Sequence, residues 1–558
     1  MFSDPVVGED FFGRQDIIEL IVKRARALKS GYRQNVAIIG HQQLGKTSLL
    51  RQFLHSFKEP GILAIYVEIK IQALDYFVEQ FIRSLLYQCL AGRGAVSPTE
   101  SLSGLSKKAE PIIPKTVLRV TEIVALLKRR HSEEAYSKLF ELTPIVKQET
   151  EKNCIVILDE FHRLGDLGVR NAFSDFGKRI MVQKDTMYLL ASSSFSASRK
   201  ILAEKLSLLF GNFERVYLEP FDFETSFQFI QRKLSPIGIS ENLKNFLVAF
   251  TDGHPFFLQT ITGTLRERAL AKSENELSRV TIAEVFLKVL YESQGILNQY
   301  FLKLISPWMQ GGSRGLPVLA LTLLAGGVNK LKDIAAALNR SQSETSRLLQ
   351  ELMERELIIK TGVFYRFHNK MFKFWLKEVY EHKELSLLEA VGKAEDFMGR
   401  IEAKVVEHEE LLKLDIADRV LGLFSLFRND LIEFGERKRK LPYFTEIVKS
   451  QPPGRLKDQS FRKIVAKGHG ACWVCKIVEQ KATEKEVLEL IQGVSPGKKE
   501  AATKVLLAFR GVDDNAKLLA KEKKVFTLGL SKINALMDVY GAAPIIVAEN
   551  DSPAAAKA

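Results

Sequence analysis

The sequence predicts an α/β fold in which a parallel sheet is covered by helices on both faces. Two observations carry this. Up to about residue 235, short apolar runs (VAIIG, ILAIYVEIK, CIVILDEF, MYLLASSS and RVYLEPF) alternate with helical patterns, and that alternation is the signature of parallel crossovers. The first run, Val36 to Gly40, leads straight into a glycine-bracketed polar turn and then into TSLLRQFLHSF, an amphipathic helix opened by a Lys-Thr pair.

That turn has the pattern G-x-x-x-x-G-K-T, with Gly40, Gly45, Lys46 and Thr47 in the fixed places. The glycines let the loop curl so that the backbone of His41, Gln42, Gln43, Leu44 and Gly45 surrounds one anion. The site sits at a helix N-terminus, where the dipole favours negative charge and where Ser48 lies in the first turn. Lys46 is expected on the β- and γ-phosphates and Thr47 on Mg²⁺, with ATP as the nucleotide.

A phosphate loop needs a second acid, and NCIVILDEFHRL supplies it. Ile155 to Leu158 form a buried strand that delivers Asp159 and Glu160 at its C-terminal end, the edge where an open α/β sheet binds ligands. Asp159 is expected to hold Mg²⁺ through water, and Glu160 to orient or deprotonate the attacking water. The next strand ends in Ser192, Ser193 and Ser194, any of which can sense the γ-phosphate or the water. Ser194 is the candidate named here, although small residues at strand ends also simply make turns.

Further along, a basic helix-prone stretch from about Arg93 to Lys152 reads as a helical insertion or lid within a core spanning 1–235. Residues 236–304 read as a helical lid and 305–382 as short helices ending in a hairpin. A charged helical connector follows over 383–449. SQPPGR, from Ser450 to Arg455, marks a linker into a second α/β region over 450–547, and 548–558 is a tail. The apolar run GLPVLALTLLAGGV is too short and too interrupted to span a bilayer and reads as core, so no membrane partner is expected. MFSDPVVGEDFFGRQD carries acids where a signal peptide is apolar, and four cysteines give no disulfide framework, so the expected location is cytoplasmic. Cys472 and Cys475 have metal-like spacing but no second pair, in a segment that alternates like a strand.

A formal net charge of +14 favours a polyanionic partner. Within 305–382, Ile334, Ala335 and Leu338 pack one helix, Leu348, Leu349, Leu352 and Met353 the next, and LIIKTG with VFYRFH forms a hairpin turning at Gly362. That is a winged-helix pattern. It can place a helix from about Ser343 in a DNA major groove, with Ser341, Gln342, Ser343, Thr345, Ser346 and Arg347 near its exposed start and Arg340 and Lys360 beside it. The alternative is an intramolecular lid or a protein-contact module.

The phosphate loop, LDEF, the serine-rich strand end, FGNFERVYLEPFDFETSFQFI and TDGHPFFLQTI together resemble the archaeal-type P-loop ATPases of the STAND and AAA+ group, which are similar to origin-recognition ATPases. The resemblance covers about residues 8–380. It implies that FFGRQDIIELI, with Phe12 and Arg14, closes over adenine, that Pro255 of the Gly253-His254-Pro255 turn joins it, and that the winged helix reports nucleotide state. A slowly hydrolysing switch, a partner protein and a homo-oligomer in the ATP state are what such a family implies. This chain departs from the family pattern at Gly211, Asn212 and Phe213, with Arg215 nearby, which leaves the arginine that completes a neighbouring site undetermined, and at Asn369, where relatives often carry Asp.

The C-terminal alternation resembles restriction-endonuclease-like domains, whose active members carry an acid on one strand and Glu-x-Lys on the next. Here Lys476 and Val478 take the central places. Glu479 and Lys481 fit only if the motif is shifted toward the strand end, where a solvated strand end explains them equally well. Glu446 and Asp458 both remain candidates for the upstream acid, and an inactive nuclease-like fold is expected.

Overall fold

The computed structural model describes residues 4–70, 73–91, 96–97, 99–206, 213–309, 315–385, 393–434, 437–450, 462–492, 502–545 and 547. Gly211, Asn212, residues 451–455 of the expected linker, Asp458 and the tail 548–558 lie outside the described residues. The chain forms two compact units, one of residues 1–229 with 253–259, the other of residues 230–252 with 260–558.

The first unit is built on a parallel sheet of β1 (Asn35–Ile39), β2 (Ile62–Glu68), β3 (Asn153–Asp159), β4 (Thr186–Ser192) and β5 (Phe213–Tyr217), in the order β2-β3-β4-β1-β5. The three central strands are buried at every position, as continuous Val, Ile and Leu runs covered on both faces should be. Helices Gln15–Lys29 and Lys46–Ser56 cover one face through Ile18, Ile21, Leu49, Leu50 and Phe53. Helix Leu74–Leu90 and helix Ala172–Val182 cover the other.

The stretch expected as an insertion or lid forms four helices, Leu102–Ala109, Pro114–Lys128, Ser132–Leu139 and Leu142–Thr150. They belong to the core. Tyr136 and Phe140 are fully buried, and Phe140 packs edge-on to Phe81 at 5.9 Å and against Phe176 at 5.0 Å. The basic side chains that dominate the sequence of this stretch lie on the outer face of an apolar packing layer.

In the second unit, helices Leu331–Ala337 and Gln342–Glu354 precede the antiparallel hairpin β6 (Ile358–Thr361) and β7 (Phe364–Phe367). Ser341 and Glu344 close a capping box at the start of the second helix. Thr345, expected near the exposed start, is buried, with its hydroxyl donating to Ser341 O. Asn369 caps helix Lys370–Trp375 by accepting from Phe372 N at 3.0 Å.

The region expected to be a helical connector holds helices Lys393–Lys413 and Ile416–Ser425, and then a second hairpin, β8 (Leu431–Phe434) and β9 (Arg437–Lys440). The run RKRK hides the strand because four cations give no apolar alternation. Next comes a mixed sheet of β10 (Glu446–Ser450), β11 (Arg462–Gly468), β12 (Ala471–Val478), β13 (Thr503–Ala508) and β14 (Phe526–Gly529). β10, β11 and β12 pair antiparallel, and β12, β13 and β14 pair parallel.

The hairpin β6–β7 is fastened to its neighbours. Val363 N donates to Leu431 O at 3.0 Å, Lys330 pairs with Asp430 at 2.9 Å, Tyr540 donates to the same carboxylate at 2.9 Å, and Lys373 pairs with Asp538 at 2.7 Å. Gly362 is left-handed, and a Cβ there would sit 2.1 Å from Leu431 O. Gly470 is also left-handed but has open space around it. Gly470→Ala should therefore cost only its backbone strain, about 1 kcal/mol. Gly362→Ala adds a collision and should lower the unfolding midpoint clearly further, as measured by thermal melts of both variants; equal midpoints would show that the joint between hairpins is loose.

Candidate nucleotide-binding site

The loop 40–45 leaves β1 at the C-terminal edge of the sheet. Its two glycines have different physical reasons. Gly45 is left-handed, φ 88°, at the head of helix Lys46–Ser56. Gly40 has an ordinary φ but lies so close to Leu218, just beyond β5, that a Cβ would meet its carbonyl oxygen at 2.8 Å. Gln43 is also left-handed, Leu44 is buried, and Gln42 is exposed. The His41 ring stacks on Phe195 with centroids 5.9 Å apart. Ser48 Oγ accepts from Val6 N at 3.2 Å, and Gln52 accepts from Gly8 N, which lays the N-terminal segment along this helix. Lys46 is buried, and its ammonium donates to His41 O at 2.7 Å.

Asp159 ends β3 beside this loop and is fully buried. Its carboxylate accepts from Thr47 Oγ1 at 2.7 Å, Tyr66 OH at 3.2 Å and Glu160 N at 3.0 Å. Burial, and after it the charge of Glu160, pushes its pKa up to about 6. Burial and the nearby carboxylate likewise drive the Tyr66 hydroxyl upward, so Tyr66 acts here as a donor.

Glu160 sits in a left-handed conformation, φ 58°, which swings its side chain across to the end of β4. There Oε2 accepts from Ser193 N at 2.8 Å and Ser193 Oγ at 2.7 Å. His162 Nδ1 lies 3.3 Å from the same oxygen and 2.8 Å from Ser192 Oγ. Ser194, the serine singled out from the sequence, instead begins helix Phe195–Lys200 and accepts from Ala197 N at 3.4 Å. The hydroxyl that meets Glu160 is thus that of Ser193. A strand alternates its side chains, so three consecutive serines at its end cannot share one direction, and sequence alone did not say which turns inward. Tyr66 and His162 were also missed; each sits near the edge in its segment, ILAIYVEIK and LDEFH, and that position was the available signal.

Phe12 packs edge-on to Phe221 and Phe229, at 6.3 and 5.5 Å. Arg14 lies with its guanidinium 5.1 Å from the Phe221 ring centre, and Nη2 donates to Glu219 O at 2.9 Å. Burial lowers its pKa to about 10, and Nη1 is buried with no hydrogen-bond partner among the described residues. Gly253 seats against the same segment, with Phe221 N donating to its carbonyl at 2.9 Å, and Pro255 opens helix Pro255–Lys272 two residues later. Phe221 is the aromatic centre of this cluster and was not named from the sequence. On β5, Arg215 is exposed.

Residues 11–261 match a family model described as an ATPase domain predominantly from Archaea. This segment is similar to archaeal-type ATPase domains. No curated protein matches the sequence. Among solved structures, the chain is similar to a Walker-type ATPase of Pyrococcus abyssi, 18% identical over 67% of this chain and 99% of that one, with a TM-score of 0.42. The ORC2 protein of Aeropyrum pernix, in ADPNP–ADP complexes, is 12% identical over 73% and 98%, with a TM-score of 0.44. The ORC1 protein of the same organism, in complex with DNA, is 11% identical over 68% and 95%, with a TM-score of 0.38. The family match, and not these distant overlays, carries that likeness.

The raised pKa of Asp159 gives the stability of the first unit a pH dependence with a definite sign. Below the ordinary carboxylate value the group is protonated folded or unfolded, and its burial costs little. As pH rises toward and through about 6 the folded chain must take up a buried charge, so the nucleotide-free protein loses stability over that window. Asp159→Asn should therefore stabilise the nucleotide-free protein at pH 7 by up to about 3 kcal/mol and have little effect near pH 4. Denaturant unfolding at the two pH values checks this, and an Asp159→Asn variant less stable than wild type at pH 7 would contradict it.

Proposed function

We propose that the chain is an ATP-binding, slowly hydrolysing switch whose nucleotide state is coupled to DNA held by a winged helix formed by residues 305–382. The observation that carries the nucleotide part is the contact of Thr47 with Asp159 at 2.7 Å, beside a buried lysine and a glutamate held 2.7 Å from a serine hydroxyl. The buried, poorly solvated carboxylate facing a threonine hydroxyl fits a divalent cation. Thr47 and Asp159 hold Mg²⁺, which when bound supplies neutralisation of phosphate charge. The loop amides from His41 to Thr47 bind the phosphates, and Lys46 leaves the His41 carbonyl to reach them. Phe12, Arg14 and Pro255 enclose the base, where the orphaned Arg14 Nη1 finds an acceptor. Ser193 and His162 hold Glu160, which orients the attacking water.

Lys46→Ala should weaken equilibrium binding of a labelled ATP analogue at least about 10-fold, because it removes a charge-assisted contact; equal affinity would sink the nucleotide assignment. Glu160→Gln should keep that affinity while phosphate release falls at least about 100-fold. Turnover that survives the substitution would show that Glu160 does not position the water.

The DNA part rests on the helix Gln342–Glu354, whose Gln342, Ser343, Ser346 and Arg347 are exposed, and on the basic balance of the chain. A duplex affinity series against salt should fall steeply for wild type, with a smaller slope when Arg340, Arg347 and Lys360 are all replaced by Ala. A flat series would favour the second reading, a protein-interaction switch, which has one specific observation behind it: the tip of β6–β7 at Gly362 is closed by Leu431. Nuclease chemistry has no such support. Lys476 is buried in an ion pair with Glu489, Glu446 pairs with Lys467, Glu479 lies past the end of β12, and Lys481 is exposed. Cys472 and Cys475 belong to separate packing layers on opposite faces of β12.

A further inference from the structure

The hairpin β8–β9 plays no part in the nucleotide site, and the charge pattern of β9 is unusual. The pairing sets Leu431 opposite Lys440, Ile432 opposite Arg439 and Glu433 opposite Lys438, so alternate positions separate onto two faces. One face is used internally: Ile432 is fully buried, and the Arg439 guanidinium lies 3.9 Å from the centre of the Phe526 ring. Lys438 and Lys440 share the other face, and both are exposed. Among the described residues, no carboxylate comes within ion-pair distance of either, although Glu433 is the cross-strand neighbour of Lys438. Other lysines around this part of the unit do have acidic partners: Lys330 with Asp430, Lys373 with Asp538, Lys449 with Asp415 and Asp418, Lys467 with Glu446.

Two lysines on one face of a strand stand roughly 7 Å apart, about two base-pair steps measured along the axis of a duplex at roughly 3.4 Å each. The ribbon also begins where the other hairpin stops. Val363 N donates to Leu431 O, so the tip of β6–β7 cannot itself enter a groove, and the exposed side chains of Val363, Leu431 and Lys440 follow one another from the first hairpin onto the second.

We propose that β8–β9 is a second wing that presents Lys438 and Lys440 to the phosphate backbone of double-stranded DNA, in place of the closed tip of β6–β7. This rests on the DNA reading above and names the surface that reading lacked. Arg439 and Ile432 anchor the ribbon, and Lys438 and Lys440 make sequence-independent contacts that position the helix Gln342–Glu354 without reading bases.

The test uses the full chain and a labelled duplex of arbitrary sequence, titrated between about 50 and 200 mM salt. Each lost phosphate contact removes about 0.9 from the slope of log affinity against log salt, so Lys438→Ala with Lys440→Ala should flatten the slope by about 2, and the paired Lys→Arg variant should restore it. ATP-analogue affinity should be unchanged in both variants. If wild type shows a steep slope and the double alanine variant keeps it, the second wing is wrong while the DNA reading stands. If wild type shows no salt-dependent binding, the DNA reading falls, the exposed lysines are left to face an acidic protein surface, and the proposal falls with it. If the arginine pair fails to restore the slope, the lysines act through folding and not through charge, which also overturns it.

Discussion

A carboxylate buried at the edge of the parallel sheet is the constraint on which the nucleotide site depends. Asp159 has no exposure to water, so every oxygen it presents must find a donor or bear a large cost. Thr47 and Tyr66 supply donors from two different elements, and in doing so they fix the distance between the end of β3, the head of helix Lys46–Ser56 and β2. The strand order makes this possible. β4 lies between β1 and β3, so the loop after β1 and the acids after β3 straddle the serines after β4 at one edge. The left-handed turn at Glu160 then sends the second acid to Ser193, while Asp159 stays under the loop.

In the second unit, aromatic packing and a partly exposed ion pair take the place of that carboxylate. Asp430 joins Lys330 to Tyr540, and Tyr540 packs on Phe364 at 5.5 Å and on Phe427 at 5.5 Å. These contacts tie the hairpin β6–β7 to the segment before β8 and to the end of helix Leu530–Val539. The helix Gln342–Glu354 keeps Gln342, Ser343, Ser346 and Arg347 exposed, while the tip of β6–β7 is covered by Leu431.

The parallel sheet, the glycine-bracketed loop after β1 and the place of Asp159 and Glu160 at the end of β3 were legible in the sequence, because buried strands are written as continuous apolar runs and the loop carries fixed residue types at fixed spacing. Ser193 was not separable from Ser194, since their difference is a matter of direction at a strand end. The stretch from about Arg93 to Lys152 reads as a helical insertion or lid because of its exposed lysines and arginines, and in the structure Tyr136 and Phe140 of its helices are fully buried. The hairpin β8–β9 was read as helix because its inward residues, Ile432 and Arg439, do not look like a pair until Phe526, far along the chain, supplies the aromatic face on which the arginine rests.

If Thr47 and Asp159 share one cation, the affinity for an ATP analogue depends on Mg²⁺ through the Thr47 hydroxyl. Titrations with Mg²⁺ and with chelator, compared between wild type and Thr47→Val, separate metal-assisted binding from binding by the loop alone. Mg²⁺ should strengthen binding to wild type, Thr47→Val should lose most of this enhancement, and the two proteins should bind the analogue with similar affinity in chelator. An unchanged Mg²⁺ enhancement in Thr47→Val would contradict it.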